Sequence, residues 1–331
     1  MAAPPTDRLT AVASGRGDVS EHDRAAVVEY LGLVVGRGPM FTCVTFSFSA
    51  LPFERAVKLI ALLELERVDV DCYMSSRHVP ASEVAADPYA AAARIRRATE
   101  DVGVGVSQLF FTFGLHFADR AANSPDAAVQ HENERITRAM ATCARHCGAQ
   151  GLTTLPGVVW PELGPERSLE MAARALRPLV DIAGDAGLPL QVEPHLDSVA
   201  DTPERARALV ARTPGLRLTL DYSHFLAHGN GPDDVHPLLP SAGHFHARHA
   251  ARGHLQTQTR DSELDFGDIY RRLHACGYRG DICLEPTPGD GWGGGQPVDV
   301  VSEVVQLREV FRSAQAGLAG DAGTIDDVGI D

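Results

Sequence analysis

From Met40 onward, apolar or β-branched runs of five to seven residues alternate with longer stretches of helical periodicity, and Gly or Pro marks the joints. The short runs predict strands over Phe41–Ser47, Val68–Tyr73, Gly105–Phe111, Gly151–Leu155, Pro189–Glu193, Arg217–Asp221, Gly243–Ala247 and Asp281–Glu285. The helical patterns fall between them, over Pro52–Leu65, Ala81–Val102, Asp126–Cys147, Pro165–Ala186, Pro203–Arg212, a short piece near Pro232–Leu239, Phe266–Cys276 and Val298–Gln315. Strands that alternate with helices imply right-handed βαβ units and a parallel sheet. Eight such units point to an α/β chain closed as a (β/α)₈ barrel, and no glycine-rich dinucleotide loop follows the first strand to suggest an open sheet.

Residues 1–39 read as an N-terminal extension with a candidate helix over Ser20–Val35, residues 40–316 as the barrel, and the acidic, small-residue-rich segment 317–331 as a loose tail.

Strand interiors of this fold are expected to be apolar, so polar residues at the C-terminal ends of strands, where such barrels carry their chemistry, are informative. The fifth strand ends in Glu193, with His195 just after. The sixth ends in Asp221, with His224 beyond. The seventh places His244, His246 and Arg248 on one side by the two-residue strand period, with His249 on the other or in the loop, and the eighth ends in Glu285. Three carboxylates brought together would repel unless neutralised. A divalent cation held by Glu193, Asp221, His246 and Glu285 meets that need. An oxygen-rich set with one imidazole suits Mn²⁺ or Mg²⁺, with Co²⁺ or Zn²⁺ as alternatives. For any one of these carboxylates alone, a salt bridge or helix cap is an equal reading.

Around that set, His195 and His224 are candidate substrate contacts. Arg248 would hold a phosphate, carboxylate or enediolate oxygen, or else pair with one of the barrel's acids. His78 and His116 follow the second and third strands and either would reach the mouth from a loop. Trp292, in the glycine-rich segment Gly289–Gly295, would stack on a sugar ring or close over the site, its alternative being packing on a neighbouring helix.

Bulk properties narrow the partners. The formal net charge is −14, which disfavours a nucleic-acid backbone as partner. The six cysteines form no CxxC pair; Cys143 and Cys147 share a helix face at a spacing that could support a metal, but buried reduced thiols of a cytoplasmic protein are the better reading. The polar start of the chain has no signal-peptide core, and no apolar run approaches the ~20 residues a membrane span needs.

The motifs Gln191-Val192-Glu193-Pro194-His195, Leu220-Asp221-Tyr222-Ser223-His224, His246-Ala247-Arg248 and Leu284-Glu285-Pro286 together resemble the xylose-isomerase-like barrel superfamily, and within it the sugar phosphate isomerase/epimerase group. The resemblance spans roughly residues 40–312. It implies that Glu193, Asp221, His246 and Glu285 hold the metal, that Glu193 and Glu285 double as acid and base, and that His224 touches substrate. It further implies a ketose or related carbonyl sugar as substrate, isomerised or epimerised through an enediolate. β-Elimination from a keto-sugar or 3-oxo-glycoside at the same site is the alternative, and a catalytically silent sugar- or partner-binding barrel the second. Self-association into a homo-oligomer is compatible with the group. Where the group often carries an aspartate soon after the strand-seven histidine, this chain has Arg248-His249. The related three-zinc apurinic endonucleases need an Asp-x-His after strand seven, which is missing here.

Overall fold

The computed structural model describes residues 39–289 and 291–322. The candidate helix Ser20–Val35 and the end of the tail lie outside them. Eight parallel strands close into a barrel in sequence order: β1 (Phe41–Val44), β2 (Arg67–Cys72), β3 (Gly105–Phe111), β4 (Gly151–Thr154), β5 (Leu190–Val192), β6 (Arg217–Asp221), β7 (Ala242–Ala247) and β8 (Ile282–Leu284), with β8 pairing back onto β1. The predicted strands all exist. β3, β6 and β7 end where predicted, while β1, β5 and β8 stop earlier than the apolar runs, because β1 tightens into a 3₁₀ turn over Thr45–Phe48 and the residues that follow β5 and β8 precede prolines.

The helices are α1 (Phe53–Leu62), α2 (Ala81–Ala86), α3 (Pro88–Glu100), α4 (Ala127–Cys147), α5 (Gly164–Asp185), α6 (Pro203–Arg212), α7 (Tyr222–Ala227), α8 (Pro232–Val235), α9 (Phe266–Ala275) and α10 (Val300–Ala322). The single pattern over Ala81–Val102 is two helices. Pro88 forces Asp87 out of the helical region, to φ −149° and ψ 90°, and the Asp87 carboxylate caps α3 by accepting from the Tyr89 and Ala90 amides. Helix α10 continues to Ala322, past the point where the composition suggested a loose tail. Among the described residues no helix is long and apolar enough to cross a membrane.

Alternation along each strand splits its side chains between two environments. Leu218 and Leu220 of β6, Phe245 of β7 and Ile282 and Leu284 of β8 are buried with the helices in one hydrophobic cluster. Their neighbours point into the barrel, and there the expectation of an apolar interior fails. Thr153 of β4 hydrogen-bonds Thr219 of β6 across the lumen at 2.8 Å. Asp69 of β2 accepts from Thr42 of β1 at 2.7 Å and pairs with His244 of β7 at 2.6 Å. These groups are buried in hydrogen-bonded pairs, which is what makes a polar interior tolerable, with His244 Nδ1 left without a partner among the described residues. Of the six cysteines, five are buried and Cys276 is exposed, all of them free thiols.

Candidate metal centre and active site

The four residues that the strand pattern singled out stand one layer above this polar floor, two positions further along the same strands: His246 above His244, Asp221 above Thr219, Glu193 above Gln191, Glu285 above Cys283. The barrel ladder fixes them. The Glu193 amide donates to Thr154 O at 3.0 Å and the Glu285 amide to Ala247 O at 2.9 Å, so both glutamates leave from anchored backbone. Asp221 ends β6 and caps α7, its Oδ1 accepting from the Ser223 amide at 2.8 Å. That leaves only Oδ2 for the site.

His246 is the hub. Its Nδ1 lies 2.9 Å from Glu193 Oε1 and 3.0 Å from Glu285 Oε2, while Nε2 faces Asp69 Oδ2 at 3.5 Å. Ligand-capable atoms of Glu193, His246 and Glu285 lie within 4.8 Å of one another, and all three residues are buried. Asp221 joins them through a cation: Arg248 Nη2 stands 2.7 Å from Asp221 Oδ2 and 3.1 Å from Glu285 Oε2, and its Nε donates to Ser223 Oγ. His224 completes the ring. Its Nδ1 accepts the Leu196 amide at 3.1 Å, so the neutral imidazole carries its proton on Nε2, which points between Glu193 Oε2 at 3.6 Å and Asp221 Oδ2 at 3.7 Å.

The charges are tightly interlocked. Burial opposes ionisation of Glu193, yet His224 and His246 hold it well below the usual carboxylate range. Asp221 is likewise lowered against its burial, by Arg248 and His224. His246 is raised well above an ordinary imidazole, burial being overcome by Glu285, Asp69 and Glu193. Three carboxylates against one guanidinium leave a net charge of −2 when both imidazoles are neutral. A divalent cation cancels that charge with no proton added to either ring. Buried oxygens beside an imidazole nitrogen are the donor set such a hard or borderline ion takes, and the Asp69 carboxylate behind His246 is the outer partner that orients a ligating histidine. The residues present therefore fit a divalent metal.

The floor opens into a cavity of about 590 Å³. Glu193, His224, Arg248 and Glu285 line its base, and Phe46, Tyr73, Phe113, Phe117, Leu255 and Trp292 are among its walls. His195 lies against Trp292, rings stacked at 4.9 Å and 20°, with Phe117 at 4.6 Å and His224 at 4.1 Å. Burial, with His224 alongside, holds the His195 imidazole down to about 3, so it is neutral. His116 is an exposed wall residue. His78 does not line the cavity: it is buried, with Nε2 bonded to Leu51 O at 3.0 Å and its ring against Phe53. The segment carrying Trp292 is tied down rather than loose. Leu255 N donates to Gly293 O at 2.8 Å, and the Gln256 side chain bonds both Thr287 O and Gln296 O. Gly293 sits at φ 59°, where a Cβ would press on Leu196 and Leu255 at 3.1 Å, so glycine lets this strap lie flat on the cavity rim.

Ser223, Asp69, Tyr73 and Phe117 were not singled out by the sequence; Ser223 and Asp69 touch Arg248 and His246, respectively, and Tyr73 and Phe117 line the cavity. Asp69 carried the one available signal, a carboxylate inside an otherwise apolar strand run, Val68-Asp69-Val70.

No curated protein matches the chain. Among solved structures, L-ribulose 3-epimerase superposes with a TM-score of 0.68 at 16% identity, covering 87% of this chain and 99% of that one. A D-psicose 3-epimerase from Clostridium cellulolyticum H10, solved with D-tagatose, gives 0.66 at 12% identity over 83% and 99%. A xylose isomerase-like TIM barrel protein from Mycobacterium smegmatis in complex with magnesium gives 0.62 at 16% over 84% and 98%. At such identities the likeness establishes the fold. The family profile described as Xylose isomerase-like TIM barrel matches residues 59–309, most of the chain, and the protein belongs to that family.

Proposed function

We propose that this protein is a divalent-metal-dependent sugar isomerase or epimerase that moves a proton on a carbon next to a carbonyl. The observation that carries the reading is the convergence of Glu193 and Glu285 on His246 Nδ1, at 2.9 and 3.0 Å, at the base of an open cavity. Glu193, His246 and Glu285 would hold the ion, with Asp221 as fourth ligand; Mn²⁺ or Mg²⁺ is the preferred identity, with Co²⁺ or Zn²⁺ as alternatives. When bound, the ion supplies Lewis acidity that makes the C–H beside a substrate carbonyl more acidic. Glu193 and Glu285 act as the base and acid of the proton transfer, each reaching the cavity from an anchored backbone. His224 presents its Nε2 proton to a substrate oxygen. The His195–Trp292 stack and Phe117 receive the sugar's C–H face and exclude water from the floor. The structural likeness to epimerases of L-ribulose and D-psicose supports a ketose as substrate.

The test is a panel of ketoses in D₂O with the chelator-stripped protein, with and without Mn²⁺. Metal-dependent appearance of deuterium at the carbon beside the carbonyl is expected; a panel with no exchange and no turnover would overturn the reading.

One observation favours a second outcome at the same site. Even if each of a hexose's about twelve non-hydrogen atoms took the roughly 30 Å³ of a liquid water, the sugar would leave part of the 590 Å³ cavity empty. A keto-sugar bearing a second group fits better, and the same carbanion could then expel that group. Metal-dependent release of a leaving group from 3-oxo-glycosides would identify this elimination.

A further inference from the structure

Arg248 occupies a position that the proposed chemistry does not need. It is buried, and its Nη2 bridges Asp221 Oδ2 at 2.7 Å and Glu285 Oε2 at 3.1 Å. Asp221 Oδ1 is already taken by the Ser223 amide, so an ion held by Asp221 would draw on the same Oδ2 that Arg248 holds. Glu285 Oε2 is also the oxygen facing His246 Nδ1, so guanidinium and metal set compete for one atom. The arginine's seat is imperfect on another side. Nη2 lies 3.3 Å from His224 Nε2, and because His224 Nδ1 already accepts the Leu196 amide, that Nε2 carries a proton. Two donors face each other with no lone pair between them. The remaining hold is a single hydrogen bond from Nε to Ser223 Oγ at 3.1 Å. Arg248 lines the cavity, so the guanidinium has open space to turn into.

We propose that Arg248 is a resident counter-cation: it neutralises Asp221 and Glu285 in the metal-free protein, gives them up to a divalent ion, and turns into the cavity when the ion binds. This rests on the metal reading above. It makes metal loading an exchange of cations rather than the filling of a preformed vacancy, and by linkage whatever strengthens the arginine's hold weakens the metal's by the same factor.

The experiment compares the full chain, stripped with chelator, as wild type, Arg248→Met and Ser223→Ala, using Mn²⁺ as probe in titration calorimetry and thermal melting. Arg248→Met should melt lower than wild type when stripped, since it leaves carboxylates buried without their cation, and should bind Mn²⁺ roughly tenfold tighter or more. Its melting temperature should rise further on Mn²⁺ addition than that of wild type. If it folds only with Mn²⁺ present, that outcome supports the exchange in its strongest form. Ser223→Ala keeps every charge and removes only the arginine's anchor, so it should tighten Mn²⁺ binding by a smaller factor, about twofold to fivefold. A mere field effect of a fixed arginine would leave Ser223→Ala unchanged. Mn²⁺ binding to wild type with no change in Ser223→Ala, or no gain in Arg248→Met, overturns the exchange and leaves the metal reading standing. No Mn²⁺ binding to any of the three overturns both.

Discussion

Two buried polar layers sit two residues apart on the same strands of this barrel, and they differ in one respect. In the lower layer Asp69 has Thr42 and His244, and Thr153 has Thr219. The one carboxylate of this layer has direct hydrogen-bond partners within it, so its charge is held even though His244 Nδ1 and Gln191 Oε1 have none among the described residues. In the upper layer Glu193, Asp221 and Glu285 share one guanidinium and two imidazoles, and the charge does not close without added protons or a cation. Burial of polar groups alone therefore does not mark a site. Burial with an uncancelled charge beneath an open cavity does.

Removing one upper carboxylate has the largest expected effect. Glu193→Gln or Glu285→Gln should lower metal-dependent deuterium exchange by about 10²–10⁴-fold, while the stripped proteins still fold, since each substitution lessens the unbalanced charge. Asp69→Asn attacks the balanced layer instead. It strands His244 and should cost about 3–5 kcal/mol in urea unfolding, with Mn²⁺ affinity falling secondarily through His246.

A third test uses the histidine beyond β7 that belongs to neither layer. Neither ring nitrogen of His249 has a hydrogen-bond partner among the described residues, and burial holds it down to about 4. Its ordinary value is 6.5. Between those values the unfolded chain takes up the proton and the folded chain does not. Stability is therefore complete above 6.5 and falls as the pH drops toward 4, by about 2–3 kcal/mol in all. His249→Phe should remove that part of the slope, measured as urea unfolding of stripped protein from pH 7 to 4. The smallest effect concerns the wall: Trp292→Ala loses stacking surface worth about 1 kcal/mol, so KM should rise several-fold with kcat little changed.

Much of this was legible in the chain before any fold was seen. Strands alternating with helices gave the barrel, and its strand boundaries hold to within three residues, because apolar periodicity and Pro or Gly at the joints are local signals. The upper layer was legible for the same reason: Glu193, Asp221, His246 and Glu285 each lie within one residue of a strand's C-terminal end, and strand ends in a closed barrel converge. The break at Asp87-Pro88 was also local, and its cap simply outweighed the periodicity across it.

What the chain could not disclose is which carboxylate faces which partner. Arg248 could be placed at the mouth but not assigned to Asp221 and Glu285, and Asp69 could not be linked to His244, 175 residues away. Sequence fixes which residues lie on one side of a strand, since that follows from a two-residue period. Pairing across the lumen depends on stagger between non-adjacent strands and on charge balance over all eight, quantities that exist only once the barrel has closed.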